Sequence, residues 1–570
     1  MNLENQLKKD LTKNLQPNLN DDISTAVNLS NVALATATIQ LCINSGVEHF
    51  VICAGARNAP FVKLLSASRA LSVSYFYDER AAGFFALGRA KRDQRPVAVI
   101  TTSGTAVAEL MPSAVEAFYS GHPLVFITAD RPKNFRGTGS PQSINQPLIF
   151  GEYAYPTLDL DQNSNCPQHW ILWENNLHIN TCFSEPLLDS EVKPLEPKKN
   201  NNYDSIRVCT ANTWWGEVAQ IKKPIFVIST LNAVEQKQVA DVLSQSKALQ
   251  RIYVEATSGL QGQPLLTEKN VLSSQDLKQM RYAEDFDSVI RIGGVPTIRF
   301  WRDLEMKFKH VPVISFSRLA FSGLGRRTNG VFPLEQLPSL FRELPLSHEV
   351  NGNDSALKNT SIGLRKKSTA LDLVKKYSRS EPALLSAYIN TLSAVENEKE
   401  SSPHQQKMSD EIFVGNSLPI RELDLFTHQL GRNIAVTANR GANGIDGLIS
   451  TAQGLSSSTK NMHVILGDLS ALYDLNALSQ QRCCEAASFK VVVINNQGGK
   501  IFKRMFQDVH FENKHDWRFK SWAEMFDFEY ISVKSAEDLV AISPTSKKYI
   551  IELLPDSDET DLFWQEYEKE

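Results

Sequence analysis

Val464-Ile465-Leu466-Gly467-Asp468-Leu469-Ser470 is followed further along by Val491-Val492-Val493-Ile494-Asn495-Asn496-Gln497-Gly498-Gly499. Each stretch begins as an apolar run of the length of a buried strand and ends in small or polar residues. Between them Leu472, Leu475, Ala477 and Leu478 recur at helical spacing. The pair therefore reads as a strand–helix–strand unit of a parallel α/β sheet, with polar residues at the carboxyl ends of both strands, where such sheets bind ligands. Asp468 offers a carboxylate, Asn496 an amide oxygen, and the glycine turn at Gly498 a backbone carbonyl. Three hard oxygens on neighbouring loops suit a magnesium ion that keeps other positions for phosphate. Two turn-forming Asp/Asn clusters are the plainer reading of the same residues.

Outward from this unit, the chain is 570 residues long, too long for one core and enough for about three or four domains. The net charge is −4, without a basic block, which gives nucleic-acid binding no support. No apolar run approaches the roughly 20 residues that span a bilayer, and the polar residues 1–27 lack the apolar core of a signal peptide. Seven scattered cysteines, an odd number without metal spacing, fit reduced thiols in a cytoplasmic protein.

Upstream of the organising stretch, Ser417 and Arg421 lie one helical turn apart and can face one pocket. Asn439-Arg440-Gly441-Ala442-Asn443-Gly444-Ile445-Asp446-Gly447 is a glycine-rich turn after a strand. Nearer the amino terminus, the strand His49–Ile52 ends in Ala54-Gly55-Ala56-Arg57, which places Arg57 at a sheet's carboxyl edge. Tyr75-Phe76-Tyr77-Asp78-Glu79-Arg80 runs into a helix of small and apolar residues, built to pack closely on another helix or on its copy in a second subunit. Glu79 opens that helix, where the dipole favours a carboxylate. Val97–Ile100 ends in Thr101-Thr102-Ser103-Gly104-Thr105, a ligand-lining turn or a plain helix cap. Pro123–Thr128 is followed by Ala129-Asp130-Arg131-Pro132 and a glycine-rich loop reaching Gln142. The region 211–347 alternates as a second Rossmann-like sheet. Its Gly293-Gly294 lacks the spacing of a dinucleotide turn, so no NAD site is expected. The polar stretch 348–409, interrupted by two helical patterns, reads as a crossover.

These motifs, in this order, resemble the thiamine-diphosphate-dependent enzymes, and among them the family of 2-succinyl-5-enolpyruvyl-6-hydroxy-3-cyclohexene-1-carboxylate synthases. The resemblance covers about 28–553. It implies a three-domain α/β architecture, each domain a mostly parallel sheet flanked by helices. After an extension (1–27) come a pyrimidine-binding domain (28–210), a central domain (211–347), the crossover (348–409) and a diphosphate- and metal-binding domain (410–570). It implies a decarboxylating transferase that joins 2-oxoglutarate to isochorismate in menaquinone biosynthesis, with thiamine diphosphate and magnesium or manganese as cofactors. By that likeness Glu79 is the carboxylate that shares a proton with the aminopyrimidine. Ser103, Gly104, Thr105, Asn443, Ile445, Gly467, Asp468, Leu469, Ser470, Asn496, Gly498, Ile501 and Phe502 contact the cofactor, and Asp468, Asn496 and Gly498 hold the metal. Arg57, Arg131, Gln142, Arg299, Ser417, Arg421 and Arg440 face the dicarboxylate substrates. The likeness further implies a homodimer or homotetramer in which Glu79 and Asp468 come from different subunits. Ala54 and Ala56 stand where the family usually has proline and serine, and Asn443 where it usually has serine. An acetolactate-synthase-type enzyme and a catalytically silent paralogue are the alternatives.

Overall fold

The protein is described by a computed structural model, covering residues 28–169, 176–198, 221–245, 251–261, 266, 271–282, 284–344, 370–398, 409–426, 434–506, 508–541 and 547–569. Among these residues the strands form three six-stranded, all-parallel sheets. The first holds β1 (His49–Cys53), β2 (Ser72–Phe76), β3 (Val97–Thr101), β4 (Leu124–Asp130), β5 (Thr157–Leu160) and β6 (Leu177–Cys182), in the spatial order β2-β1-β3-β4-β6-β5. The second holds β7 (Pro224–Ile228), β8 (Ile252–Val254), β9 (Val271–Leu272), β10 (Ser288–Ile292), β11 (Val313–Phe316) and β12 (Val331–Phe332), ordered β12-β11-β10-β7-β8-β9. The third holds β13 (Ser409–Val414), β14 (Ala435–Thr437), β15 (Lys460–Gly467), β16 (Ser488–Ile494), β17 (Glu529–Val533) and β18 (Lys548–Leu553), ordered β14-β13-β15-β16-β18-β17.

Central strands such as β1, β3 and β4 are buried along their whole length. Their unbroken apolar runs follow from helices covering both faces of a parallel sheet. The first and third sheets share one strand order, and the central sheet follows the doubly wound order of dinucleotide-binding folds. In the third sheet the order reverses between β13 and β15, so the loops after those two strands part and leave a crevice.

The segment between β15 and β16 departs from a single helix. A short helix, Asp468–Tyr473, gives way to 3₁₀ turns over Leu475–Cys483. Asp474 breaks it: its buried carboxylate accepts the backbone N–H groups of Ile449 (2.9 Å) and Ser450 (3.0 Å).

The small-residue helix Glu79–Asp93 packs against Leu448–Leu455 of the same chain. A Cβ on Gly88 would lie 2.0 Å from the Thr451 carbonyl oxygen, and one on Gly454 would lie 2.0 Å from that of Phe85. Glycine alone permits this approach. The same face carries an ion-pair cluster in which Glu485 binds Arg89 and, at 2.8 Å, Arg92. Against the desolvation of its surroundings, the two guanidiniums hold the Glu485 carboxyl at about 2. A carboxylate whose pKa is lowered on folding stabilises fully above its unfolded value of about 4.3 and loses that contribution as pH falls toward 2. Glu485 is 48% exposed, so the pair is worth about 1 kcal/mol or less. Glu485→Gln is expected to lower the urea midpoint at pH 7, with the gap to wild type shrinking between pH 5 and 3. A gap unchanged by pH would remove the ion pairs as its cause.

Candidate active site

The crevice of the third sheet opens into a cavity of about 560 Å³. Asn416–Pro419 and Arg421 after β13, Arg440, Asn443 and Ile445 after β14, Gly467–Ser470 after β15, and Asn496 and Gly498–Phe502 after β16 line it, and the central sheet closes it with Val295–Ile298, Trp301 and Arg302.

Asp468 is 2% exposed. Its Oδ1 accepts the Leu469 N–H at 2.7 Å and its Oδ2 the Gly498 N–H at 2.9 Å, with His515 Nε2 3.3 Å from Oδ2. Burial pushes its carboxyl above the ordinary range. The two asparagines after β16 diverge. Asn495 turns inward to the Trp517 carbonyl and to Glu552. Asn496 turns to the cavity: its Nδ2 donates to Glu381 Oε2 at 2.9 Å, while its Oδ1 is buried without a hydrogen-bond partner. Gly498 sits at φ +132°, and a Cβ there would meet the Glu512 carbonyl at 2.4 Å. A Cβ on Gly467 would meet nothing within 4 Å, so its backbone borders open cavity.

This donor set answers whether a divalent cation and a diphosphate fit. Among the described residues no group of three or more His, Cys, Asp and Glu side chains forms a metal cage. One carboxylate and one orphaned amide oxygen beside an open glycine edge instead suit a hard cation whose remaining positions go to phosphate. Ile445, Ile501 and Phe502 add apolar wall to the same space.

Positive charge gathers in the same cavity. Arg440 donates to Asn416 Oδ1 at 2.6 Å, and its Nε is buried without a hydrogen-bond partner. Burial lowers its pKa. Arg421 opens to the cavity and donates to the Ser417 carbonyl, while Ser417 itself adopts φ 75°. Arg302 completes the group.

Apart from Arg299, the remaining predicted residues occupy the carboxyl edge of the first sheet and do not line this cavity. Arg57 donates to the Phe183 carbonyl and to Glu185, each at 3.2 Å. Glu79 is half-buried, and desolvation raises its carboxyl. Ser103 and Gly104 are buried, Thr105 is exposed, and the Cα of Gln142 lies 3.2 Å from where a Cβ on Gly104 would stand. Arg131 donates to the Pro141 carbonyl at 3.0 Å and lies over the Phe135 ring. Arg299 belongs to neither cluster: its side chain is 65% exposed and pairs with Asp303 at 3.2 Å, leaving Arg302, one helical turn on, at the cavity.

Glu381, Asn416, Arg302 and His515 were not singled out from the sequence. Glu381 opens the helix Glu381–Glu398 inside the expected crossover, and the only local signal was an acidic residue after Ser380 at a helix start. Asn416 stood next to Ser417 in a motif already read.

A family model described as thiamine pyrophosphate enzyme, N-terminal TPP binding domain, matches residues 32–149. The chain is 39% identical, over 95% of its length and 99% of the relative's, to a 2-succinyl-5-enolpyruvyl-6-hydroxy-3-cyclohexene-1-carboxylate synthase of Bdellovibrio bacteriovorus. It is 32% identical to proteins of the same name from Akkermansia muciniphila, over 93% of this chain and 98% of the relative, and from Bacillus velezensis, over 82% and 84%.

Proposed function

Since the chain belongs to the family of 2-succinyl-5-enolpyruvyl-6-hydroxy-3-cyclohexene-1-carboxylate synthases, we propose that it joins the four-carbon unit left by decarboxylation of 2-oxoglutarate to isochorismate, in menaquinone biosynthesis. The observation that carries this reading is one cavity lined both by Asp468 and the orphaned Asn496 oxygen and by Arg421, Arg440 and Arg302. A metal–diphosphate site and a multi-cation carboxylate site then share one space.

Thiamine diphosphate, when bound, supplies the electron sink for loss of carbon dioxide from a 2-oxo acid. Asp468, Asn496 and Gly498 hold magnesium or manganese, and Gly467, Leu469 and Ser470 border the diphosphate. Asn443, Ile445, Ile501 and Phe502 contact the cofactor body. Glu79, its carboxyl raised by desolvation, holds a proton toward the far ring nitrogen of the aminopyrimidine, with Ser103, Gly104 and Thr105 beside that ring. Arg421 and Arg440, with Ser417, bind substrate carboxylates, and Arg57, Arg131 and Gln142 assist from the first sheet.

The two clusters lie on different sheet edges, so we assign the complete site to a homodimer, alone or paired into a tetramer. The exposed Tyr75 and Tyr77 beside one cluster and Phe506, Phe511 and Trp517 beside the other supply apolar surface for that contact. The units 28–210, 211–347 and 410–570 are assigned as pyrimidine-binding, central and diphosphate-binding domains, joined by the crossover 348–409. No helix among the described residues is long and apolar enough to cross a membrane, and we place the enzyme in the cytoplasm.

The purified protein, assayed for carbon dioxide release and for coupled product, is expected to use 2-oxoglutarate with isochorismate. Preference for pyruvate would replace this reading with an acetolactate-synthase type. Removing one charged hydrogen-bonding partner of a carboxylate costs about 1.5–3 kcal/mol. Arg440→Ala and Arg421→Ala are therefore expected to raise KM for one or other dicarboxylate roughly ten- to a hundredfold, the exposed Arg421 less than Arg440. Unchanged KM for both substrates would remove the arginines from the site.

A further inference from the structure

The loop that carries Arg440, Asn443 and Ile445 is held from behind by the first domain of the same chain. Glu116, on the helix Met111–Ser120, is 3% exposed. Its carboxylate receives three successive backbone N–H groups, from Gly441 at 2.8 Å, Ala442 at 2.6 Å and Asn443 at 3.3 Å. Consecutive N–H groups converging on one anion form a nest. Gly441 lets the backbones meet, since a Cβ there would lie 2.6 Å from the Glu116 carbonyl oxygen. Just before the loop, Lys91 donates to the Ala438 carbonyl at 2.9 Å and to Asn439 Oδ1 at 2.8 Å.

We propose that Glu116 is a positioning residue for the reaction: by anchoring the N–H groups of Gly441–Asn443 across the domain junction, it sets where Arg440, Asn443 and Ile445 stand in the active site. Neutral packing would join the domains without a buried charge. The carboxylate is what three N–H groups demand of an acceptor, and its charge also helps Arg440 and the buried Lys91 remain protonated. On the far side of the loop, Asn416 donates to the Asn439 and Gly444 carbonyls. The loop is thus gripped on two sides, and losing one grip lets it shift.

The inference rests on the proposed synthase reading, and its test separates the two. In the full-length protein, Glu116→Gln keeps the size but turns an amide N–H toward the loop. Loss of such a supporting contact is expected to weaken thiamine diphosphate binding, titrated by calorimetry with magnesium, and to raise KM for 2-oxoglutarate, each about tenfold, with kcat changed less than about threefold. A residue that only joined domains would lower the melting temperature and leave both affinities at wild-type values, which would overturn the proposal. Glu116→Asp, which keeps the charge but withdraws it, is expected to fall between. Independently of any variant, hydrogen exchange in the wild type should show protected amides at Gly441, Ala442 and Asn443, and fast exchange there would overturn it as well. If the wild type bound no thiamine diphosphate, the synthase reading would fall, and the exchange pattern would still decide whether Glu116 holds the loop.

Discussion

Asp468→Ala is expected to abolish thiamine diphosphate binding while leaving the protein folded. Asp468 is the only carboxylate proposed to touch the metal, and without it the cation and diphosphate lose their charged anchor in a buried site. Outer partners of metal ligands already contribute about 10- to 100-fold in affinity, so loss of the ligand itself is expected to exceed that range. Folding survives because the carboxyl is held against its own desolvation. Its removal leaves two N–H groups, of Leu469 and Gly498, short of an acceptor, a cost of about 1–3 kcal/mol each that water entering the vacated space reduces. Calorimetric titration with thiamine diphosphate at saturating magnesium, beside a thermal melt, decides the matter. Binding at wild-type strength would show that the metal is held elsewhere or not at all.

Glu79→Gln is expected to do the opposite, keeping the cofactor and losing turnover. The wild-type carboxyl is raised by burial and, against a backbone hydrogen bond that lowers it, by the charges of Asp78 and Glu109, the direction that favours its protonated form. An amide cannot exchange that proton. General acid–base groups contribute about 10²–10⁴-fold, and a loss of that size is expected in the rate at which the cofactor's thiazolium proton exchanges into deuterium oxide. Wild-type exchange in the variant would return Glu79 to the role of a helix-start carboxylate.

Much of the fold was legible because parallel strands buried on both faces write themselves as unbroken apolar runs. Val491–Ile494 and Val97–Ile100 needed no further context, and the polar residues after such runs marked the crevice. Helices were less legible where a side chain serves a distant partner. Leu472, Leu475 and Leu478 promised one helix, yet Asp474 interrupts it to cap the N–H groups of Ile449 and Ser450. Within the site, glycines and asparagines at strand ends announced themselves. Glu381, at the cavity, and His515, against Asp468, did not, because each comes from a segment whose local pattern speaks only of a helix start or a surface loop. Arg299 and Arg302 show the same limit: both sit on one short helix, and only its docking decides which of them meets the cavity.

Recombination between relatives is constrained by the reciprocal seating of Gly88 and Gly454. Each glycine rests on a carbonyl of the opposing helix with no room for a single carbon, so a methyl on either side would pry the first and third sheets apart. Glu79 begins one of these helices, and the other follows directly on the loop of Arg440 and Ile445. A chimera that took one of the two domains from a distant homologue would have to inherit the matching glycine face with it. The fit between the first and third sheets is therefore a matched pair, which exchange of one side alone would break.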